Sequence, residues 1–363
     1  MNKVYHLHSQ ISKKHVLGRE YVACSIDNAV VSTYYKCGSL NEFKQIFDSF
    51  EIQDVVTWNT LISEYMQRKC FNEIWVLFQC MQLRGILPND ATFTYALKSC
   101  GKIGLTRMGT QLHAMIAAKK DPLKSNPFVR SALVDMYVKC NTLQDAREIL
   151  DSLLIRDVVT WNTLITGYVQ HGYGKEALHC FDRMRREGVY PNVVTFACIL
   201  KACSITGDIA KGNEMYIEAA KTGHLDTNLF IASGLIDMYV RCGSLAKAQA
   251  VFHTISNRNI VVWNSLIAGY AQQEYGEEAL HYFERLHQEG LCPNAITFSC
   301  SLKACGSAST TAAKKGRAIH ADIARNGLLG KNIFIGSALV DMYAKCGELA
   351  KAQEVFDMLP ERN

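Results

Sequence analysis

An octapeptide that comes back almost unchanged constrains this chain more than any other feature. Val55-Val-Thr-Trp-Asn-Thr-Leu-Ile62 returns as Val158-Val-Thr-Trp-Asn-Thr-Leu-Ile165 and again as Ile260-Val-Val-Trp-Asn-Ser-Leu-Ile267. Trp58, Trp161 and Trp263 are therefore 103 and 102 residues apart, and Pro88, Pro191 and Pro293 keep the same step. Cys37, Cys140, Cys242 and Cys346 follow at intervals of 103, 102 and 104. Self-similarity at a fixed period marks a repeat architecture, in which each copy buries its apolar face against the next.

Each long period holds three shorter units. One runs from VVTWN to a Pro-Asn pair over 55–89, 158–192 and 260–294, each 35 residues. A long unit opens on TFT, TFA or TFS and passes KSC or KAC over 90–126, 193–228 and 295–332. A short unit carries DMY-x-[KR]-C over 127–157, 229–259 and 333–363, each 31 residues, with a further copy around STYYKCG at 24–54. Residues 1–23 are a fragment matching only the second half of a long unit.

Within a unit the apolar spacing is helical. Ile74, Leu77, Phe78 and Met81 form one stripe, largely kept as Ala177, Leu178, Phe181 and Met184, and Leu61, Ile62, Tyr65 and Met66 form a second. Gly38 after Lys36-Cys37 suits a left-handed helix end. Ser39-x-x-Glu42 reads as a capping box, Thr142-x-x-Asp145 as a weaker one, and Pro88-Asn89 with its copies is expected to end the second helix. Two antiparallel helices of about 10–15 residues cannot bury both faces alone. Stacked hairpins complete the core, which predicts an all-α solenoid running as one quasi-linear domain over 1–363.

Composition agrees. With 48% hydrophobic and 20% charged residues the chain has apolar side chain for an extended core. Six prolines and no Gly/Ser-rich or Pro-rich block mark no linker. A net charge of +5 permits a polyanionic partner without requiring one. The fourteen cysteines contain no CxxC pair and mostly stand ten or more residues apart, poor spacing for zinc, so free thiols in a reducing compartment are expected. No apolar run of about 18 residues is present to form an ordinary membrane-spanning helix. The first residues lack the apolar core of a signal peptide and do not read as a transit peptide.

Hairpins of this length occur in tetratricopeptide repeats and their pentatricopeptide relatives. VVTWNTLI followed by EAL, F, M, G and PN resembles the pentatricopeptide repeat (PPR), and the ordered alternation of unit lengths is similar to its plant-type PLS subclass. GTQLHA, GRAIHA, SALVDMYVKC and SALVDMYAKCGELAKAQEVFDMLPERN resemble the long and short motifs of that subclass, so the likeness covers essentially all of 1–363. The resemblance implies a right-handed superhelical α-solenoid that binds single-stranded RNA in a mitochondrion or chloroplast, one repeat per nucleotide. In that subclass the bound site mostly specifies a cytidine for C-to-U editing. No cofactor, metal, small-molecule substrate or membrane is implied, and any catalysis would come from sequence missing from this chain or from editing co-factors or a deaminase in trans. The subclass's C-terminal deaminase extension does not follow Asn363, and both ends are expected to continue in a longer protein.

In the family the fifth and last residues of a repeat face the base, and the pairing is chemically intelligible. Uracil and guanine present a ring N–H on the Watson–Crick edge, which an Asp carboxylate can accept; cytosine and adenine present a bare ring nitrogen, to which an Asn amide can donate. A short Ser or Thr at the fifth place leaves room for a purine, and a longer Asn reaches a pyrimidine. Carried over, Asn28 with Asp54 implies U. Asn59 with Asn89, Asn162 with Asn192 and Asn264 with Asn294 imply C. Ser131 with Asp157 implies G, while Ser233 with Asn259 and Ser337 with Asn363 imply A. Thr94 with Asn126 points to A among the long units, and Ala197 with Asn228 and Ser299 with Asn332 are left open. The expected target is UC(A)GC-N-AC-N-A.

Val56, Phe128, Val159, Phe230, Val261 and Phe334, second in their units, are candidates to sandwich the bases; the competing role is a seal between hairpins. Lys36, Lys139, Arg241 and Lys345, thirteenth in the short units, with Lys102 in a long one, are candidate phosphate contacts, or cations complementing a helix C-terminus. Asn and Ser at the fifth place compete with a helix-capping role. The tryptophans are expected in the core, and the periodic cysteines as small buried hydrophobes. His287-x-Glu289 matches half of a zinc deaminase signature, but no Pro-Cys-x-x-Cys follows. Stabilisation or processing of RNA by occupancy, and peptide binding, are the alternatives to editing.

Overall fold

The computed structural model describes residues 54–118, 126–307, 312–329 and 332–359. Asn28, Lys36, Gly38, the Ser39 capping box and Asn363 lie outside the described residues. Among those described, every regular element is a helix. The chain divides into two compact parts, one ending at Gly167 and the other starting at Tyr168.

In the first part the helices are α1 (Val55–Gln67), α2 (Phe71–Leu83), α3 (Asp90–Ile103), α4 (Thr106–Ala118), α5 (Pro127–Lys139) and α6 (Leu143–Ser152), followed by α7 (Val158–Gln170). The second part continues with α8 (Gly174–Arg186), α9 (Val193–Thr206), α10 (Ile209–Lys221), the short α11 (His224–Thr227), α12 (Leu229–Arg241) and α13 (Leu245–Thr254). It ends with α14 (Ile260–Gln272), α15 (Gly276–Gln288), α16 (Ala295–Cys305), α17 (Ala312–Arg325), α18 (Ile333–Lys345) and α19 (Leu349–Asp357). First helices begin at 55, 90, 127, 158, 193, 229, 260, 295 and 333, the opening residues of the units set out above.

Within each part the first helix of a hairpin packs on the first helix of the next. The first part has α1 on α3 and α3 on α5; the second has α9, α12, α14, α16 and α18 in sequence. Second helices such as α2, α13 and α15 lean on the first helix that follows them. Ile74, Leu77, Phe78 and Met81 are all buried on α2, as the helical stripe requires. Trp58, Trp161 and Trp263 are at most 2% exposed, so they belong to the core. Trp263 meets Phe252 of the preceding hairpin edge-on at 4.7 Å between ring centroids and lies 6.3 Å from Tyr282 on α15. A tryptophan placed there welds its own hairpin to the one before.

Two local expectations are corrected. Pro88-Asn89 does not end the second helix: α2 stops at Leu83, and Gly85 takes the left-handed conformation at φ 75°, as do Gly188 and Gly290. Asn89 opens the next helix instead. Thr142 makes no side-chain cap on α6; its hydroxyl donates to the Tyr137 carbonyl at 3.2 Å. The left-handed turn just before it uses Asn141, where Gly243 and Gly347 serve in the other short units.

The LHA and IHA triplets of the long units also gain a physical reason. His113 Nδ1 lies 3.0 Å from the Tyr137 hydroxyl and His320 Nδ1 lies 2.9 Å from that of Tyr343. In the long unit that lacks this histidine, Asn213 accepts the Tyr239 hydroxyl at 2.8 Å. Burial holds both imidazoles below their ordinary 6.5, against an upward pull from Asp145 at His113 and Glu354 at His320. The unfolded chain therefore takes up protons first as pH drops. Stability is full above about 6.5 and is lost as pH falls below it. Melting curves at pH 7.5 and 5.5 should show a larger drop for the wild type than for a His113→Gln, His320→Gln variant; equal drops would exclude these histidines as the cause.

A candidate nucleic-acid interface

Apolar residues at the second place of each unit do not seal one hairpin to the next. Val56, Val159 and Val261 are 51%, 55% and 44% exposed, and Phe128, Phe230 and Phe334 are 74%, 77% and 76% exposed. The long units continue the row with Val194 and Ile296, 53% and 60% exposed. Each of these residues sits in the first turn of a first helix, ahead of that helix's buried stripe, and burying it would have required a neighbour that the stack does not supply. Val194 and Ile296 were missed in the sequence, although they occupy the same second place.

Among the described residues, the last residue of each unit is the N-cap of the helix that follows. Asp54, Asn89, Asn126, Asn192, Asn228, Asn259, Asn294 and Asn332 each accept a backbone N–H of the first turn through the side-chain oxygen. Asp157 does the same for Thr160 at 2.8 Å. Capping thus falls to the last position and not to the fifth. It uses one atom of the side chain. The second oxygen of Asp, or the nitrogen of Asn, takes no part in the cap; at Asn126 that nitrogen donates to the Asp90 carboxylate.

In two 35-residue units the fifth and last residues touch. Asn59 Nδ2 donates to Asn89 Oδ1 at 2.9 Å, and Asn264 Nδ2 donates to Asn294 Oδ1 at 3.1 Å. Asn89 and Asn294 are exposed, and their own amide nitrogens face no acceptor among the described residues. Asn162 is 7% exposed on α7, and Asn192 caps α9.

Around Ser131 and Asp157 the arrangement forms an open cleft of about 300 Å³. Phe128 and Val159 are its large apolar lining residues, and Ser131, Asp157, Thr94 and Lys98 line it with polar groups. Arg130, only 4% exposed, holds its guanidinium 4.0 Å from the Asp157 carboxylate. This cation is absent from the sequences of the other short units, which carry Asp27, Ala232 and Gly336 at the same place. The cleft is therefore lined by apolar side chains and by the carboxylates of Asp135 and Asp157, which can only accept.

Other pairs are less available. Thr94 donates its hydroxyl to the Asp90 carbonyl at 2.7 Å, and Asn126 donates its amide to the Asp90 carboxylate. Ser233 is 9% exposed and gives its hydroxyl to the Phe230 carbonyl at 3.2 Å. Ser337 is exposed. Lys139, Arg241 and Lys345 are exposed at helix ends, and each is closed on a carboxylate one turn back, Asp135, Asp237 and Asp341. Lys102 is exposed and makes no ion pair among the described residues. The same holds for Lys98, Lys201 and Lys303, the lysines of KSC and KAC, a recurring cation that the sequence also carries in plain view.

Burial pushes Cys100 up to about 11 and Cys203 and Cys305 up to about 12, and it also raises Cys140, Cys242 and Cys346. Among the described residues no three His, Cys, Asp or Glu side chains converge as a metal site, and no helix is long and apolar enough to cross a membrane. His287 packs edge-on against Phe283 at 4.8 Å, and Glu289 lies 3.8 Å from Arg258. The half-signature is used in packing.

The PPR repeat family matches residues 53–102, 156–204 and 258–307, and a PPR repeat matches 337–363. A chloroplastic pentatricopeptide repeat-containing protein of Arabidopsis thaliana is 34% identical over 338 residues, covering 93% of this chain and 54% of its own length. A mitochondrial one from the same plant is 32% identical over 344 residues, covering 93% of this chain and 49% of its own. The chain thus spans about half the length of these relatives. The fold is similar to that of the pentatricopeptide repeat protein PPR10 in its crystal structure with an 18-nt psaJ RNA element, with a TM-score of 0.73 and 19% identity over 91% of this chain and 49% of that one. A crystal structure of PPR10 from maize gives a TM-score of 0.70 at 18% identity, over 97% of this chain and 50% of the other. Stacked helical hairpins, their recurring caps and these matches lead to one conclusion: this is an all-α solenoid built of pentatricopeptide repeats.

Proposed function

We propose that this chain binds single-stranded RNA in a sequence-dependent way, one repeat per nucleotide. The cleft at Ser131 and Asp157 carries the reading: apolar Phe128 and Val159 together with an accepting carboxylate, all lining one opening, suit guanine. Fifth and last residues supply the hydrogen bonds, and second residues sandwich the bases. PPR10 in complex with an RNA element is the relevant precedent for a shared fold. The relatives' names place them in chloroplasts or mitochondria, which supports an organellar transcript as target. Alternating 35-residue, long and short units support the PLS subclass, and with it a role in specifying a cytidine for C-to-U editing, with catalysis supplied from outside residues 1–363.

Phosphates need cations that are not already neutralised. Lys98, Lys102, Lys201 and Lys303 meet that condition better than Lys139, Arg241 and Lys345, which must first give up their own carboxylates. At nucleotide three, the commitment of Thr94 and Asn126 to Asp90 supports little discrimination.

The test is equilibrium binding of the whole chain to the RNA UCAGCUACUA, to a scrambled RNA and to the matching DNA. Tight binding to the first alone is expected, weakening as salt rises because phosphate contacts release counterions. Replacing Lys98, Lys201 and Lys303 by Gln should reduce the slope of log affinity against log salt by about 2, at about 0.7 for every phosphate that is no longer neutralised. Equal affinity for all three oligonucleotides would rule out the proposal.

A further inference from the structure

An asparagine carries a donor and an acceptor on nearly isosteric ends, so it can tell cytosine from uracil only if its amide is prevented from flipping. At Asn59 and Asn89 a third residue prevents it. The Thr92 backbone N–H, 3.1 Å from Asn89 Oδ1, is an obligate donor, so the atom facing it must be oxygen. Asn89 Nδ2 is thereby turned outward. The same oxygen takes a hydrogen from Asn59 Nδ2 at 2.9 Å, which turns the oxygen of Asn59 toward the Thr92 hydroxyl, 2.7 Å away. That hydroxyl accepts the Asn89 backbone N–H at 3.2 Å and has one proton to give. Asn59 Oδ1 is its nearer destination, with Asn89 Oδ1 at 3.0 Å.

The ring closes again around Asn264, Asn294 and Thr297. Thr297 N–H donates to Asn294 Oδ1 at 3.0 Å, and its hydroxyl donates to Asn264 Oδ1 at 2.7 Å and accepts the Asn294 N–H at 3.1 Å. Thr92, Thr195 and Thr297 are all 0% exposed, and Asn192 is held by Thr195 through the same two cap contacts, each 3.1 Å. Asn162, Asn192 and Thr195 repeat the spacing of the other two triplets.

We infer that Thr92 and Thr297, third in the repeat after each Asn–Asn pair, are positioning residues for base reading: the backbone N–H sets the amide of the last residue, and the buried hydroxyl holds the oxygen of the fifth residue so that its amide stays locked against the last one, whose Nδ2 donor faces the nucleotide. The inference rests on the base-reading function proposed above. It makes the specificity of a repeat depend on a residue of its successor. Asn259 supplies the comparison: its cap accepts the N–H groups of Val261 and Val262, both at 3.1 Å, with valine at the third place and Ser233 as fifth residue. Valine there supports a cap, so Thr92→Val should fold.

Thr92→Val should lower the preference for C over U at nucleotide two about fivefold, the loss expected for one buried hydrogen bond. Thr92→Ser should retain the preference, and nucleotide eight, read by Asn264 and Asn294, should be unmoved. Full-chain binding to UCAGCUACUA and to its C-to-U variants at each place reads all three. Asn89→Asp, measured in the same series, reports on base reading itself. If Asn89→Asp moves nucleotide two and Thr92→Val does not, the positioning role is wrong and base reading stands. If Asn89→Asp moves nothing, base reading fails and the positioning role with it. An equal loss at nucleotides two and eight in Thr92→Val would mean that threonine acts only through the fold, and would overturn the inference.

Discussion

Replacing Phe128, Phe230 and Phe334 together by alanine is expected to weaken RNA binding at least a hundredfold while leaving the melting curve almost unchanged. The three rings are 74%, 77% and 76% exposed, so their removal takes little apolar surface out of the core. Surface changes of this kind shift stability by about 0.5 kcal/mol or less. Stacking on an aromatic ring contributes about 1–3 kcal/mol per base, and every 1.4 kcal/mol is about tenfold in affinity. The two effects separate because the residue sits ahead of the buried stripe on its helix. Fluorescence anisotropy and denaturation run on the same preparation would check both halves. Unchanged affinity would return these residues to a packing role that their exposure does not support, and a collapsed melting curve would show that the rings hold the fold.

A larger qualitative change is expected from Asn89→Asp, Asn192→Asp and Asn294→Asp combined. Preference at nucleotides two, five and eight should pass from C to U, with a change of about tenfold or more at each place. The physical reason is the division of labour within one side chain. Its inner atom caps the next helix, and aspartate performs that task as well as asparagine: Thr57 N–H to Asp54 and Thr160 N–H to Asp157 are both 2.8 Å. The outer atom changes from a nitrogen that donates to an oxygen that accepts, which suits the ring N–H of uracil and opposes the bare nitrogen of cytosine. Binding of the variant to the C-containing RNA and to its U-substituted counterpart gives the ratio directly. A ratio equal to that of the wild type would remove the last position from the reading.

Much of this was legible in the sequence because it recurs. Period, hairpin and tryptophan core all repeat every triplet of units, and repetition separates signal from accident; the pairing of fifth with last residues was an implication of the family resemblance. What was not legible depends on geometry or on a single occurrence. An apolar residue at the head of a helix has the same appearance whether a neighbour covers it or not, so the exposure of Phe128 or Val56 had to be seen. Arg130 beside Asp157 occurs in one short unit only and gave no periodic signal. Pro88-Asn89 is the more conspicuous dipeptide after α2 and draws the helix stop to itself, whereas Gly85 makes the left-handed turn. Ion pairing of Lys139, Arg241 and Lys345 was readable from the Asp four residues before each, and it weakens their claim on phosphate.

Substituting each nucleotide of UCAGCUACUA singly by the other three, and measuring the affinity of the intact chain for every product, tests the addressing of successive bases by successive hairpins most directly. Strong losses are expected at nucleotides two, five and eight for anything but C, and at four for anything but G, with near indifference at six and nine, where Ala197 and Ser299 stand at the fifth place. A flat profile across all ten places, at whatever overall affinity, would contradict it.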